Sequence, residues 1–430
     1  MRVLFVTNPV KSVFQYMVPL AWALRTAGHE VRFASQPSFA DTITRSGLTA
    51  VPVGRDHARL LADRALGGGQ GHVRAGIQPP YDAFDDPSKA NWAYLCEGMA
   101  RTVRERHHLS NFPIIGDLVA FARHWQPDLV LWDPLTYAGP IAAKACGAAH
   151  ARVLFGVDVF GSVRQLFLRL LAEQPFHARR DPLAEWLGGY ARKYGGEYSE
   201  DMATGHFTVD PFPASLQVEG VGLRYERMQW VGYGGPAVVP RWLWGEPERP
   251  RVVLTMGLSA TDVFSGYTVN TGEVLGAFEG LDVEVVATVA ESEWEGLGRV
   301  PGNVRLVSYA PMHVLAERSS VVVHHGGAAT LATFARHPVP HLALTYHFDQ
   351  PVLGRLLSAH GAGLDVHTGD VTGEVLRDRV VRLLGEPSFR RRAGDLRDEV
   401  LGLPSPNELV PRLEALAGEF RSRGPVRVAG

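Results

Sequence analysis

Short apolar runs alternate with helical stretches along the first half of the chain. Residues 3–6 are all apolar, which is typical of a strand buried on both faces of a parallel sheet. A loop over 7–14 and a helix over about 15–27 follow, and residues 30–35 again have the pattern of a strand. The same order of strand, helix and strand recurs over 127–155. This alternation predicts a doubly wound α/β sheet.

The pattern starts again after Pro250. Residues 251–256, 283–289 and 320–324 have the composition of further buried strands, and a glycine turn followed by a helix comes after the third. The segment 235–249 between the two patterns is rich in glycine and proline, which is typical of a linker. The sequence therefore predicts two similar α/β halves.

A helix start signal lies near the end of the chain. Ser405 can cap a helix, Pro406 suits its first position, and Glu408 completes a capping box, so a helix is expected to about Glu419. We expect four segments: an N-terminal domain at 1–234, a linker at 235–249, a C-terminal domain at 250–404, and a helix within 405–430 that packs back on the N-terminal domain.

Composition excludes several classes of protein. With 430 residues, 46% hydrophobic and 20% charged, the chain suits a globular protein of about two domains. Its 43 basic and 45 acidic residues give a net charge of -2, which disfavours non-specific nucleic-acid binding as the main activity. Two cysteines are too few for a disulfide framework. No signal peptide or membrane-spanning run is recognisable, so we expect a cytoplasmic protein that does not bind membranes.

The glycine turn after the third strand of the second half is the first candidate for a site. Ligands of open parallel sheets bind beyond the carboxyl ends of the strands, where the segment 324–330, HHGGAAT, lies. Glycines allow close approach of the backbone, and the N-terminus of the following helix favours a phosphate. The pattern predicts a phosphate site, although a packed histidine beside an ordinary turn would look the same.

The motifs around this turn resemble those of a known family. VVVHHGG at 321–327, VSYAPMHVL at 307–315 and the pair Asp349–Gln350 resemble the nucleotide-sugar signature of GT-B glycosyltransferases. The first half is similar to actinobacterial enzymes that attach deoxysugars to macrolide and anthracycline antibiotics, in the segments VPLAWAL (18–24), AGHEV (27–31), GLTAVPVG (47–54) and WDPLT (132–136). The resemblance covers nearly the whole chain and implies two Rossmann-like domains facing across a cleft.

The resemblance also implies roles for individual residues of the second half. Those assigned to the donor diphosphate are Gly257, Ser259, His325, Gly326, Gly327 and Thr330. Those assigned to the pyrimidine base are Tyr309, Pro311 and Met312, and those assigned to the donor sugar are Asp349 and Gln350. At Ala329 the family commonly has glycine. We expect this position to be helical, because a Cβ disfavours a positive φ.

The acceptor-side loop at Ser12 and Val13 departs from the family pattern. Relatives usually have a histidine at the position of Val13, where it serves as general base for the acceptor hydroxyl. Three explanations remain open. Asp158 or Asp133, each just after a strand, is the base; the acceptor is a phenol, an enolised carbon or an amine that needs less help; or the chain only binds the donor. Of these bases, Asp158 is our candidate.

From the resemblance we expect an inverting glycosyltransferase that moves a deoxysugar from a TDP-sugar to a polyketide-type aglycone, with His325 stabilising the departing diphosphate. The alternative is a non-catalytic subunit that binds the TDP-sugar. The resemblance implies no cofactor and no metal ion, an auxiliary activator protein that resembles a haem monooxygenase, and leaves a homodimer open. A carbohydrate epimerase of similar architecture needs acidic catalytic residues that the sequence does not provide.

Overall fold

The computed structural model describes residues 1–56, 75–257 and 267–421, and these form two parallel sheets. The first sheet has the order β3-β2-β1-β4-β5-β6-β7. Its strands are β1 Arg2–Val6, β2 Glu30–Ser35, β3 Ala50–Pro52, β4 Leu129–Trp132, β5 Ala149–Val153, β6 Phe207–Asp210 and β7 Tyr225–Arg227. The first strand lies in the middle and the chain winds outward to both sides, which is the doubly wound topology that the sequence predicts.

The second sheet repeats this topology with the order β10-β9-β8-β11-β12-β13. Its strands are β8 Arg251–Thr255, β9 Glu284–Thr288, β10 Val304–Val307, β11 Val321–His324, β12 His341–Thr345 and β13 Gly363–His367. Strands β8, β11 and β12 are buried along their whole length, as expected for a sheet covered by helices on both faces. The predicted fold class, two Rossmann-like α/β domains, is confirmed.

Helices cover both faces of each sheet. Those of the first domain are α1 Lys11–Thr26, α2 Ala40–Thr44, α3 Trp92–Thr102, α4 His108–Trp125, α5 Ala138–Cys146, α6 Val159–Ala172, α7 Pro182–Lys193 and α8 Asp201–Thr204. The others are α9 Thr271–Gly276, α10 Met312–Glu317, α11 Ala328–Phe334, α12 Gln350–His360, α13 Gly373–Gly385, α14 Pro387–Leu401 and α15 Pro406–Phe420. The segment 228–250 between the two sheets contains only a short 3-10 turn at Arg241–Leu243.

Helix α1 begins earlier than its sequence suggests. It starts at Lys11, and its N-cap residue Val10 makes no capping hydrogen bond through its side chain. The sequence therefore carries no start signal at this point. Ser12 and Val13, expected in a loop, lie instead in the first turn of α1, at the carboxyl end of β1.

The last helix crosses back to the first domain. Ser405 and Glu408 form the predicted capping box, in which the Ser405 N–H donates to Oε2 of Glu408 at 2.7 Å and the Glu408 N–H donates to Oγ of Ser405 at 3.2 Å. The apolar face of α15 packs on α1 and β5, and it buries Leu409, Leu413 and Leu416 in the same core as the first sheet. The chain thus leaves the first domain, forms the second, and returns.

Candidate active site

A cleft of about 890 Å³ lies between the two domains, at the carboxyl ends of the central strands. It brings together most of the residues singled out in the sequence: Ser12, Val13, Gly257, Tyr309, Pro311, Met312, His325, Gly327, Thr330, Asp349 and Gln350. Gly326 is buried in the turn behind this surface. Ser259 lies outside the described residues. The cleft therefore joins segments that are more than 300 residues apart in the chain.

The glycine turn links β11 to α11. Gly326 has a φ of +76°, a conformation that residues with a side chain rarely adopt. Gly327 is the N-cap of the helix, and Ala329 is its second residue, so the expectation that Ala329 is helical is confirmed. The first amides of α11 have no acceptor within the helix, and the residues that carry them, Ala328, Ala329 and Thr330, line the cleft.

The imidazole of His325 fills a slot between two glycines. A Cβ on Gly327 would lie 2.1 Å from Nε2 of His325, and a Cβ on Gly257 would lie 2.4 Å from its Cε1. Both distances are far below van der Waals contact, so neither position can carry a side chain while the ring stays in place. The sequence predicts that glycines at the site allow the backbone to approach a ligand closely. The structure adds that they make room for the histidine.

His325 is neutral at physiological pH. Burial lowers the pKa of its imidazole to about 4, against a smaller opposing effect of the Thr255 backbone carbonyl, while His347 lowers it further. A neutral imidazole donates a hydrogen bond through one nitrogen only. An anionic ligand at this position would raise the pKa again, because opposite charge favours the protonated form.

Two further histidines hold the turn from behind. The Gly326 N–H donates to Nδ1 of His324 at 3.1 Å, and Nε2 of His324 lies 3.1 Å from Nδ1 of His341. Burial lowers the pKa of both imidazoles, that of His341 to about 3, so the pair is uncharged. Since Nδ1 of His324 accepts a hydrogen bond, its proton is on Nε2 and is donated to His341. His341 thus stabilises the glycine turn through His324. Its position in the sequence has the same pattern as that of a buried core residue.

The two residues expected at the donor sugar lie at the start of α12, where Asp349 is the N-cap and Gln350 the first helical residue. The Val157 N–H of the first domain donates to Oδ2 of Asp349 at 2.9 Å. The side-chain oxygen of Gln350 accepts from the backbone N–H groups of Tyr346 and His347 at 3.2 and 2.9 Å. Asp349 is the one carboxylate among the described residues that line the cleft. Burial raises the pKa of this carboxyl to about 7, although the Val157 N–H lowers it in part.

Asp349→Asn is expected to change how stability depends on pH. The folded pKa of about 7 lies above the unfolded value of 3.8, so the native state retains a proton that the unfolded chain loses between these pH values. The free energy of unfolding therefore falls as pH rises through that window. Without the carboxyl this loss disappears. As the pH rises from about 5 to about 8, we expect the free energy of unfolding of the variant to increase by on the order of 3 kcal/mol relative to that of the wild type.

Urea unfolding at both pH values measures this difference. Asp210→Asn is the matched control, since burial also raises the pKa of Asp210 to about 7, outside the cleft. It should shift the pH dependence of stability in the same direction. An Asp349→Asn variant whose stability tracks that of the wild type at both pH values would contradict the prediction.

The first domain contributes both apolar and polar side chains to the cleft. The large apolar ones are Val13, Phe39, Phe155 and Trp230, and the polar ones include Lys11, Ser12, Gln15, Ser38 and Thr42. The sequence does not distinguish Phe155 and Trp230 from core residues, because an aromatic residue shortly after a strand has the same pattern in both cases. Tyr309 lies across the cleft, on the second domain, with 44% of its surface exposed. These aromatic and aliphatic side chains offer apolar contact surface to a ligand in the cleft.

Asp158, our candidate base, does not reach the cleft. Its side chain is fully buried, and the Arg152 guanidinium donates to both of its carboxylate oxygens at 2.9 and 2.7 Å. The hydroxyl of Tyr225 and the Gly161 N–H donate to it as well, so the carboxylate caps α6. Because its side chain is buried and is not among the residues that line the cleft, Asp158 does not meet a substrate bound there. The prediction is wrong because a helix cap and a base look alike after a strand.

Asp133, the other candidate carboxylate, is also buried and fully engaged in hydrogen bonds. It accepts from the hydroxyl of Thr136 at 2.5 Å and from the backbone N–H groups of Leu135 and Asn8 at 2.9 and 3.2 Å. Burial raises the pKa of this carboxyl. It is absent from the residues that line the cleft.

One group of side chains among the described residues has the spacing of metal ligands, namely His150, Asp201 and His206. It lies at the amino-terminal ends of β5 and β6, on the opposite side of the sheet from the cleft. Asp201 is already bound by Nζ of Lys144 at 2.8 Å and by His150 at 2.9 Å. The group is therefore an ion-paired cluster and has no part in the cleft. Within the described ranges, every helix is too short or too polar to cross a bilayer.

Two Rossmann-like domains with a glycine–histidine turn on one wall of the cleft between them have the GT-B architecture of nucleotide-sugar glycosyltransferases. Residues 22–257 and 272–416 match the N-terminal and C-terminal domain models of a family described as Erythromycin biosynthesis protein CIII-like. The chain belongs to this family. The resemblance found in the sequence is thereby confirmed.

Individual relatives agree over their whole length. The 10-deoxymethynolide desosaminyltransferase of Streptomyces venezuelae is 44% identical over 98% of this chain and 98% of its own. The Aclacinomycin-T 2-deoxy-L-fucose transferase of Streptomyces galilaeus is 42% identical over 99% of both. The crystal structure of the glycosyltransferase VinC in complex with DTDP superposes with a TM-score of 0.86, at 37% identity, over 97% of this chain and 100% of that one. These relatives support an enzyme rather than a non-catalytic binding subunit.

Proposed function

We propose that this chain transfers a deoxysugar, with inversion, from a TDP-sugar to a hydrophobic polyketide aglycone. The observation that carries the proposal is the slot of His325 beside the first amides of α11, which together offer an anion several hydrogen-bond donors on one wall of the cleft. Electrostatic stabilisation of charge that develops on a leaving group is a main source of rate enhancement in such reactions. The relatives support the choice of sugar and acceptor.

The two walls suit two different ligands. Thr330, Gly327 and His325 would hold the donor diphosphate, and Tyr309, Pro311 and Met312 would hold its base. The wall formed by the first domain would hold the aglycone through apolar contact with Val13, Phe39, Phe155 and Trp230. The first domain thus binds the acceptor and the second the donor, and closure of the cleft excludes water that would hydrolyse the donor.

The reaction needs no carboxylate on the acceptor wall if the acceptor is easily deprotonated. Among the described residues that line this wall from the first domain, those with ionisable side chains are Lys11, Tyr16 and Tyr233. A phenol or an enolised carbon loses its proton more readily than an alcohol, so weaker base assistance suffices. Aromatic aglycones are therefore the acceptors to test first, with macrolactones second.

The test is a transfer assay with the purified chain. A TDP-linked deoxysugar is incubated with aklavinone or with 10-deoxymethynolide, acceptors named in the relatives, and mass spectrometry detects the glycoside. Calorimetry measures TDP binding in parallel, and NMR of the product gives the anomeric configuration. Absence of TDP binding would overturn the proposal, and a product that retains the donor configuration would overturn inversion.

Three finer points of the proposal come from the resemblance. The assay is run with and without an auxiliary protein that resembles a haem monooxygenase, and a rate that rises only with this partner supports its role. It is also run with EDTA, where an unchanged rate supports a metal-independent reaction. Light scattering reports whether the chain forms a homodimer.

A further inference from the structure

The loop 346–349 between β12 and α12 is held by the other domain at both of its ends. At one end, the Gly76 N–H donates to the Tyr346 carbonyl at 2.7 Å, next to a bridge between Ala75 and His347. At the other end, the Val157 N–H donates to Asp349, as described above. Two separate segments of the first domain therefore shape a loop that belongs to the second.

The contact with Asp349 requires a glycine at position 156. A Cβ on Gly156 would lie 2.0 Å from Oδ2 of Asp349, the same oxygen that accepts from Val157. The φ of Gly156 is not among the positive values found in this chain, so the backbone itself would tolerate alanine. The need for glycine arises from the carboxylate of the other domain.

The turn that presents the Val157 N–H is fixed from behind by buried side chains. Nε2 of Gln217 donates to the Gly156 carbonyl at 3.3 Å, and its Oε1 accepts from the Asp158 N–H at 2.9 Å. The Asp158 carboxylate is in turn held by Arg152. The direction of the Val157 N–H is thus set by the core of the first domain.

The side chain of Phe348, in the same loop, packs against the first domain. It has a φ of +44°, a conformation that is unfavourable for an aromatic residue. Its ring lies 6.2 Å from that of Phe155 and 6.0 Å from that of Phe160, measured between centroids, and both of these belong to the first domain. Packing across the domain boundary therefore stabilises the conformation that directs Asp349 toward Val157.

We propose that Gly156 is a positioning residue, through which the acceptor-binding domain orients the Asp349 carboxylate for the donor sugar. The inference rests on the function proposed above and adds a coupling to it: the sugar-binding loop adopts its working shape only while the two domains are together. TDP alone, held by the glycine turn and the base-binding segment, does not depend on this contact.

Gly156→Ala in the full chain tests the proposal. We expect kcat for sugar transfer to fall by about tenfold or more, since small displacements of positioning groups reduce the rate strongly, while the Kd for TDP and the KM for the acceptor change less than about twofold. Gly189→Ala is the matched control, because a Cβ there meets nothing within 4 Å, and it should leave kcat unchanged. A Gly156→Ala enzyme with the kcat of the control overturns the proposal.

A double-mutant cycle with Asp349→Ala isolates the contact. Gly156→Ala should lower the melting temperature of the wild type but not that of the Asp349→Ala chain, in which the colliding oxygen is gone. An equal decrease in both backgrounds overturns the proposal even if kcat falls. This readout needs no donor, so it remains decisive if the wild type fails to bind TDP, a result that would reject the proposed function instead.

Discussion

Replacement of His325 by alanine is expected to lower kcat/KM for sugar transfer by a factor of about 10² to 10³, the usual loss when one donor to a developing negative charge is removed. The ring is held in its slot by Gly257 and Gly327, so it needs no rearrangement to meet the diphosphate. Because the imidazole is neutral before the donor binds, most of its effect should appear as charge builds on the leaving group. The loss should therefore fall mainly on kcat, with a smaller decrease in TDP affinity.

Steady-state kinetics and calorimetry on the same preparation separate these two effects. His177→Ala serves as control, since His177 is exposed in a turn of the first domain and is not part of the cleft lining. A variant at His325 that keeps the wild-type kcat would mean that the backbone amides alone carry the leaving group.

Gly327→Ala should imitate the loss of the histidine without removing it. The added Cβ would lie 2.1 Å from Nε2 of His325, so the ring must leave its slot. Displacement of a catalytic group by about 1 Å reduces the rate on the order of 10²-fold, and we expect a decrease of this size in kcat. Gly276→Ala, where a Cβ meets nothing within 4 Å, is the matched control.

The double variant distinguishes displacement of the ring from damage to the helix. If Gly327→Ala acts through His325, it adds little to the loss already caused by His325→Ala, because groups that act as a unit give non-additive effects. Losses that multiply in the double variant would show that the alanine disturbs the helix amides directly.

The fold was predictable because its signals are local. Short continuous apolar runs such as residues 3–6 and 321–323, each followed by a turn and a helix, indicate buried parallel strands. The glycine turn and His325 were predictable for the same reason, since a site at the carboxyl end of a strand can be found from the strand alone.

Features that depend on distant residues were not predictable. The contact between Asp349 and Val157 spans 192 residues, and no local pattern indicates it. The position of Asp158 after a strand suits both a general base and a helix cap. The local pattern does not show that Arg152, buried on the preceding strand β5, pairs with its carboxylate. The early start of α1 at Lys11 was missed because Val10 is not a capping residue.

The return of the last helix to the first domain determines how hybrid enzymes should be assembled. Donor specificity could be exchanged in a chimera that joins the first domain of one relative to the rest of another at a single junction near 249. Helix α15 of one parent would then pack on α1 and β5 of the other. Leu409, Leu413 and Leu416 would then meet a core that did not evolve with them. A chimera with two junctions, near 249 and near 404, keeps the core that α15 shares with α1 and β5 from one parent, and should be the more stable of the two designs.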